Sequence, residues 1–128
     1  MKKIIHTRDA PSAIGTYNQA VQSHGFIYTS GQLGINHHTG KIVKGGIGKE
    51  SLRALKNIDV ILHAVGVDKS HIVKLTVFVT DLKGFNLVND SFETFFHGVD
   101  FPARSTVEVS ALPMDAKVEI ECVACTSE

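Results

Sequence analysis

Apolar residues change their spacing along this chain, from a period of two to a period between three and four and back. Period-two runs and clusters of β-branched and aromatic residues predict six strands, at 2–6, 19–24, 26–32, 72–80, 104–110 and 117–125. Three- and four-residue steps predict two helices, one from about Lys49 to Ala64 and one from Leu82 or Gly84 to His97. The predicted order is β-β-β-α-β-α-β-β.

Each predicted helix has one apolar stripe. The stripes are formed by Leu52, Leu55, Ile58, Leu62 and Val65 in the first helix and by Phe85, Val88, Phe92, Phe95 and Phe96 in the second. A single stripe is typical of a helix that packs on one side only. A chain of 128 residues is expected to form one domain. We therefore predict a single α+β domain over 1–128, with a mixed six-stranded sheet and both helices packed on one face.

Charge and hydropathy exclude several classes of protein. Thirteen basic residues balance thirteen acidic ones, so the sequence gives no support to nucleic-acid binding, which usually needs a basic excess. No apolar run reaches the ~20 residues of a membrane helix. The N-terminus lacks the apolar h-region of a signal peptide, so we expect a cytoplasmic protein without membrane contact.

Cysteine and histidine patterns do not predict a metal site. Cys122 and Cys125 have the C-x-x-C spacing, but they fall on a predicted strand, where positions three apart face opposite sides. We expect free thiols there. His37 and His38 are adjacent in a predicted loop, with no further ligand at metal-binding spacing.

The last two strands carry the candidate polar chemistry. If 104–110 and 117–125 pair as a hairpin, the core face collects Val107 and Val109 with Val118 and Ile120. The same register puts Arg104, Thr106 and Glu108 on the other face with Glu119 and Glu121. This polar face is either solvated or part of a site or subunit interface, and the pattern alone leaves both interpretations open.

Several segments in order carry a family resemblance that none of them carries alone. They are 10–19 (APSAIGTYNQ), 27–32 (IYTSGQ), 72–82 (IVKLTVFVTDL), 88–89 (VN), 101–109 (FPARSTVEV), 112–113 (LP) and 118–121 (VEIE). In this set the chain resembles the RidA family, also called YjgF-like, over essentially its whole length.

The resemblance implies a chorismate-mutase-like α+β fold, of the bacillus type, and a homotrimer whose sheets form a central barrel. Sites would lie between subunits. The implied activity is hydrolysis of reactive 2-imino acids and their enamine tautomers, such as 2-iminobutanoate and 2-iminopropanoate, to 2-oxo acids and ammonia. The imines would come from pyridoxal-phosphate-dependent dehydratases. No metal or organic cofactor is implied, because an imine is already activated toward water.

The resemblance also implies roles for individual residues. Arg104 would hold the substrate carboxylate through two parallel hydrogen bonds. Glu119 would be the general base for water, and Tyr17 would donate to substrate or orient the water. Four further residues are expected to contact substrate or support the site: Ser30, Gly31, Asn89 and Thr106.

Two positions depart from the family pattern. Thr106 stands where members often have Cys, and Thr16 stands where they often have Pro. Two other functions compete with the deaminase: an endoribonuclease or RNA-binding translation inhibitor, and a non-enzymatic regulator that binds small carboxylates.

Overall fold

A computed structural model describes residues 1–126 of the chain. Its strands are β1 (Lys3–Ile5), β2 (Ala20–Ser23), β3 (Phe26–Thr29), β4 (Gln32–Leu33), β5 (Ile35–Asn36), β6 (Lys41–Ile42), β7 (Ile72–Val79), β8 (Ala103–Glu108) and β9 (Val118–Cys125). Its helices are α1 (Ile47–His63) and α2 (Phe85–Phe95), and short 3₁₀ turns lie at Lys69–His71, Leu82–Gly84 and Pro113–Asp115. The two predicted helices are confirmed, within three residues at each end.

One mixed sheet organises the molecule, with strand order β1-β2-β3-β9-β7-β8. Only the β7–β8 pair is parallel, and the two strands are joined through α2 in a β-α-β unit. Strand β9 occupies the centre, pairing antiparallel with β3 on one side and β7 on the other. Strand β8 is left at an edge of the sheet.

Both helices contribute to a single core against one face of the sheet. The buried stripe of α1 includes Leu55, Ile58 and Leu62, and α2 adds Val88 and Phe92. Buried residues of β7 and β9 belong to the same cluster. The predicted α+β fold with two helices and a mixed sheet is confirmed.

The sheet has one more strand than we predicted. The expected strand 26–32 is interrupted at Ser30–Gly31, and its second part, β4, pairs separately with β9. A break at a glycine is typical of a bulge or of a close approach by other atoms. Strands β5 and β6 form an additional two-stranded ribbon within a segment that the sequence predicted to be loop.

The prediction that the last two strands pair as a hairpin was wrong. Strand β7 lies between β8 and β9, and β8 pairs with β7 alone. In that register Arg104 lies opposite Leu75 and Thr106 opposite Val77, so both are on the helix-covered face. Glu119 lies opposite Phe78, on the other face.

The error arose because the apolar residues of β8 do not point into the protomer core. Val107 is 43% exposed, on the face of the sheet that no helix covers. The same face carries Tyr28, which is 46% exposed, together with Phe78 and Val123. We call this surface the open sheet face. Lys74, Thr76, Ser105 and Glu121 share this face, and exposed aromatic and aliphatic side chains among polar ones are typical of a protein interface.

The cysteines behave as expected. Both are free, and Cys122 is buried in the core cluster, where burial raises the pKa of its thiol to about 12. In the part of the chain that the structure describes, no helix is long and apolar enough to cross a membrane.

Candidate active site

The guanidinium of Arg104 lies close to two aromatic rings of α2. Its central carbon lies 4.7 Å from the ring centre of Phe92 and 5.1 Å from that of Phe85. Nη2 donates a hydrogen bond of 2.8 Å to Oδ1 of Asn89, one turn along the same helix. No ion pair found within residues 1–126 includes Arg104. The remaining N–H groups are therefore available to an external carboxylate.

Burial lowers the pKa of Arg104 from its ordinary value. A guanidinium stays protonated at any physiological pH, so the shift signals a desolvated cation and not a loss of charge. A partly desolvated cation that forms no ion pair among residues 1–126 attracts an incoming anion more strongly than a fully hydrated one.

The backbone of β8 adds hydrogen-bonding groups beside Arg104. The amide of Val109 donates to the carbonyl of Val79, which continues the β7–β8 pairing. Because backbone groups alternate direction along a strand, the amides and carbonyls of Arg104 and Thr106 point away from β7, at the free edge. The side chain of Thr106 does not share this direction, since its hydroxyl is buried without a hydrogen-bond partner.

The carboxylate of Glu119 lies on the open sheet face. Burial raises its pKa, and the negative charge of Glu121 on the same strand raises it further. Within residues 1–126, no side-chain cation pairs with Glu119. A carboxyl group with a raised pKa and no internal partner is suited to accept a proton.

Gly31 makes room for this carboxylate. A Cβ atom built on Gly31 would lie 2.6 Å from the carboxyl carbon of Glu119, well inside van der Waals contact. Ser30, its neighbour, uses its hydroxyl to donate to the carbonyl of Asn18, and its amide donates to the carbonyl of Gln19. Ser30 thus fixes the loop that carries Tyr17, and it does not line the pocket around Glu119.

Tyr17 reaches the same pocket from the N-terminal loop. Its hydroxyl oxygen accepts from the amide of Ile14 at 3.3 Å, which leaves its proton free to donate. The buried side chain of Gln19 holds this loop in place. It accepts a hydrogen bond from the amide of Thr7 and donates hydrogen bonds to the carbonyls of Thr7 and Pro11.

The predicted site residues fall into two separate pockets. Glu119, Tyr17 and Gly31 line a pocket of about 380 Å³. Arg104 and Asn89 line another, of about 220 Å³, on the helix side of the sheet. Strand β7 stands between β8 and β9, so the two strands are separated by roughly 10 Å, with the side chains directed to opposite faces. One protomer does not bring Arg104 and Glu119 together.

A larger cavity contains none of these residues. It measures about 530 Å³ and lies between the start of α1, the turn after β7 and the 110–117 segment. Its charged lining residues are Asp81, Asp115 and Lys117, and Asp81 already accepts from the amide of Lys83. Size alone does not make it a site, so the two smaller pockets remain the candidates.

Sequence reasoning missed the supports of Arg104 and of the Tyr17 loop. Phe85 and Phe92 were predicted only as part of a core stripe. Together with Asn89 they are spaced four and three residues apart, which places all three on one helical face, and that spacing was the available signal. Gln19 carried no comparable signal, because its role depends on loop carbonyls that meet only in the folded chain.

Comparison with known proteins gives a consistent result across the chain. The family model described as "Endoribonuclease L-PSP" matches residues 7–126. A mouse protein named "2-iminobutanoate/2-iminopropanoate deaminase" is 45% identical over 124 residues, covering 97% of this chain and 91% of the mouse protein. The Escherichia coli K12 protein of the same name is 46% identical over 126 residues, covering 97% and 98%. The chain belongs to the RidA family.

Solved structures of RidA relatives have the same fold. A Rid-family protein of unknown function from Yersinia pestis superposes with a TM-score of 0.94 at 50% identity, covering 98% of this chain and 99% of that one. The structure of E. coli TdcF with bound serine gives 0.93 at 40% identity, with 98% and 99% covered. The predicted family is confirmed.

Proposed function

We propose that this RidA-family chain is a hydrolytic deaminase that converts 2-imino acids and their enamine tautomers into 2-oxo acids and ammonia. The observation that carries the proposal is the guanidinium of Arg104, which lies within 5.1 Å of two ring centres, is bonded to Asn89 and forms no ion pair within residues 1–126. Such a group is preorganised for a small planar carboxylate. The curated relatives named as 2-iminobutanoate/2-iminopropanoate deaminases support this substrate class.

Arg104 and the edge of β8 would bind the substrate carboxylate. The free N–H groups of the guanidinium supply two parallel hydrogen bonds, and the outward-facing amide of Thr106 adds another. Thr106 would act through its backbone, so the departure from cysteine leaves this contact intact. Asn89 orients the guanidinium through the 2.8 Å hydrogen bond.

Glu119 would then activate the water. Its carboxylate takes a proton from water as the water oxygen attacks C2 of the protonated imine, and the C=N π pair becomes the lone pair of the nitrogen. The carboxyl group then gives this proton to the amine. As ammonia leaves, the regenerated carboxylate takes the proton of the C2 hydroxyl, which becomes the carbonyl. Tyr17 donates its free O–H to the substrate or to the water. The reaction needs no cofactor, because the imine carbon is electrophilic by itself.

The site would be completed by two subunits. Arg104 and Glu119 lie on opposite faces of one sheet, so a small substrate cannot contact both within a protomer. Contact between the free edge of β8 in one copy and the Glu119 pocket in the next would join them, while the open sheet face turns inward. We therefore propose a homotrimer with a chorismate-mutase-like barrel, as the family resemblance implies.

Turnover of imines generated in situ tests the proposed activity. Threonine dehydratase supplies 2-iminobutanoate, and semicarbazide competes for the imine as it forms. Added protein should lower semicarbazone formation and speed the release of 2-oxobutanoate. Protein that binds 2-oxobutanoate yet leaves imine decay unchanged would instead favour a non-enzymatic carboxylate-binding regulator.

RNA binding is a second candidate, favoured by one feature that the neutral net charge concealed. Lys44, Lys49, Arg53 and Lys56 line one shallow groove on the outer side of α1. No ion pair found in the described part of the chain includes any of them. RNA affinity that falls steeply with salt, and is lost in the double variant Lys49→Glu/Arg53→Glu while imine turnover persists, would support this function.

The cytoplasmic location of the protein stays a prediction.

A further inference from the structure

The pocket around Glu119 is lined mainly by apolar side chains. Ile14, Leu33, Ile35 and Met114 surround it, with prolines and an alanine between them. Glu119 is the only charged residue in this lining. Its pKa is raised, which reflects a poorly hydrated environment. Ser12, Tyr17, Gln19 and Gln32 complete the lining, so an apolar wall stands beside a polar one that contains the carboxylate.

The pocket has room beside Glu119 for an aliphatic side chain. Its open volume of about 380 Å³ corresponds to roughly a dozen water molecules at ~30 Å³ each. In the proposed trimer, β8 of the neighbouring subunit would occupy part of this volume, and the apolar wall would face the substrate side chain. A longer aliphatic side chain would replace water against the apolar wall, which favours binding.

Met114 is presented to this pocket by a strained turn. Its φ is 60° and that of Asp115 is 55°, so two consecutive non-glycine residues adopt left-handed conformations. Such strain persists only where the surrounding structure imposes it, and it is concentrated at functional sites. Met114 remains 55% exposed, so burial of its own side chain within the protomer does not account for the turn.

Ile14 forms the opposite rim. Its side chain is 83% exposed, although its backbone is held by the hydrogen bond to Tyr17. Gln19 fixes the same loop through the carbonyl of Pro11. Two large apolar side chains, Ile14 and Met114, thus stand at the mouth of the pocket on restrained backbones.

We infer that Ile14 and Met114 determine substrate specificity by contacting the substrate side chain, and that the preferred 2-imino acids have branched or long aliphatic side chains. The inference rests on the proposed function and adds the side-chain class to it. Acidic imino acids are disfavoured, because their second carboxylate would enter an apolar pocket beside Glu119.

Turnover of three imino acids, each generated in situ by an amino-acid oxidase, tests the inference. We expect kcat/KM for the leucine-derived imine to exceed that for the alanine-derived one by roughly tenfold, with the glutamate-derived imine lowest. Equal values, or a preference for the alanine-derived imine, would overturn the inference while leaving the proposed function intact. Turnover of none of the three would overturn the proposed function itself.

Variants at the rim separate specificity from general damage. Met114→Asn shortens and polarises the side chain while tolerating the left-handed backbone, and Ile14→Ser does the same at an ordinary backbone position. Each should lower kcat/KM for the leucine-derived imine by roughly tenfold and change the alanine-derived value by less than about twofold. Leu87→Ser, at an exposed position outside this pocket, should leave kcat/KM unchanged for both imines.

A gain of activity completes the test. Ile14→Lys places a cation at the rim, so the glutamate-derived imine should improve roughly tenfold relative to the leucine-derived one. An unchanged ratio in Ile14→Lys, or an equal loss for both aliphatic imines in Ile14→Ser, would contradict a side-chain contact. If Met114→Asn does not fold, the two Ile14 variants carry the test alone.

Discussion

At the scale of single residues, Arg104 is the side chain whose contacts best prepare it to bind a carboxylate. Its cation lies within 5.1 Å of two ring centres, at the distance of cation–π contacts that contribute about 0.5–2 kcal/mol each, and it donates a hydrogen bond to Asn89. Lysine has neither the plane nor the fork of donors. The site therefore depends on the shape of this side chain as well as on its charge.

Replacing Arg104 tests this dependence. Arg104→Ala should lower kcat/KM for 2-iminobutanoate by roughly ten- to 150-fold, since a charge-assisted pair contributes about 1.5–3 kcal/mol. Arg104→Lys should be similarly impaired, because one ammonium cannot form the bidentate contact. Arg8→Ala, at an exposed arginine, is the matched control and should keep full activity. Full activity in both Arg104 variants would contradict the carboxylate-binding role.

The raised pKa of Glu119 leads to a prediction about how kcat/KM depends on pH. A general base works when deprotonated, so kcat/KM should fall as the pH drops through a pKa that lies above the ordinary glutamate range. Glu121→Gln removes the charge that contributes to the shift and should move this acid limb to lower pH. Burial, the larger cause, remains, so the limb should stay above the ordinary range. An acid limb that is unmoved by Glu121→Gln would argue against Glu119 as the titrating base.

The same shift has a consequence for stability. The pKa of Glu119 is higher in the folded than in the unfolded state, so folding is favoured below the unfolded-state pKa. That contribution is lost as the pH rises through the folded-state pKa. Glu119→Gln should therefore be inactive but at least as stable as the wild type at neutral pH, as measured by thermal unfolding. Clear destabilisation would show that the carboxylate has a structural role.

At the scale of elements, periodicity predicted what each segment becomes but not which face of β8 lies inside. The two helices and the longer strands were found because each has its own apolar pattern, whereas the two-residue strands β5 and β6 are too short to show one. The side of Arg104 was mispredicted because Val107, the apolar residue of this edge strand, lies on the open sheet face and not in the core. The hairpin prediction failed because β8 pairs in parallel with β7 through the crossover helix α2, and the strand–helix–strand order of 72–110 was the signal for that pairing.

The break between β3 and β4 gives a direct test of the site geometry. Gly31→Ala should lower kcat/KM at least tenfold while the protein remains folded, because the new methyl group would displace the Glu119 carboxylate. Gly48→Ala is the matched control, since its nearest contact would be an ordinary 3.8 Å. Within α1 that change should add about 0.5–1 kcal/mol of stability without changing activity. Undiminished turnover in Gly31→Ala would contradict the assigned position of Glu119.

At the scale of the whole molecule, two features of the single chain are explained by the proposed trimer. Its open sheet face exposes Tyr28, Val107 and neighbouring apolar side chains. Its proposed catalytic groups lie on opposite faces of the sheet. A closed trimer that buries the open face and brings β8 of one subunit to the Glu119 pocket of the next would account for both.

Mixing two inactive variants tests this account most directly. Arg104→Ala subunits, which alone keep roughly a tenth or less of the wild-type kcat/KM, and Glu119→Gln subunits, which are inactive, are unfolded together in equal amounts and refolded. Three quarters of random trimers are mixed, and each mixed trimer has one intact site of three, so we expect about a quarter of the wild-type rate. Activity that stays at the level of the separate variants, with mixed trimers shown to form, would place the site within one protomer and contradict the account.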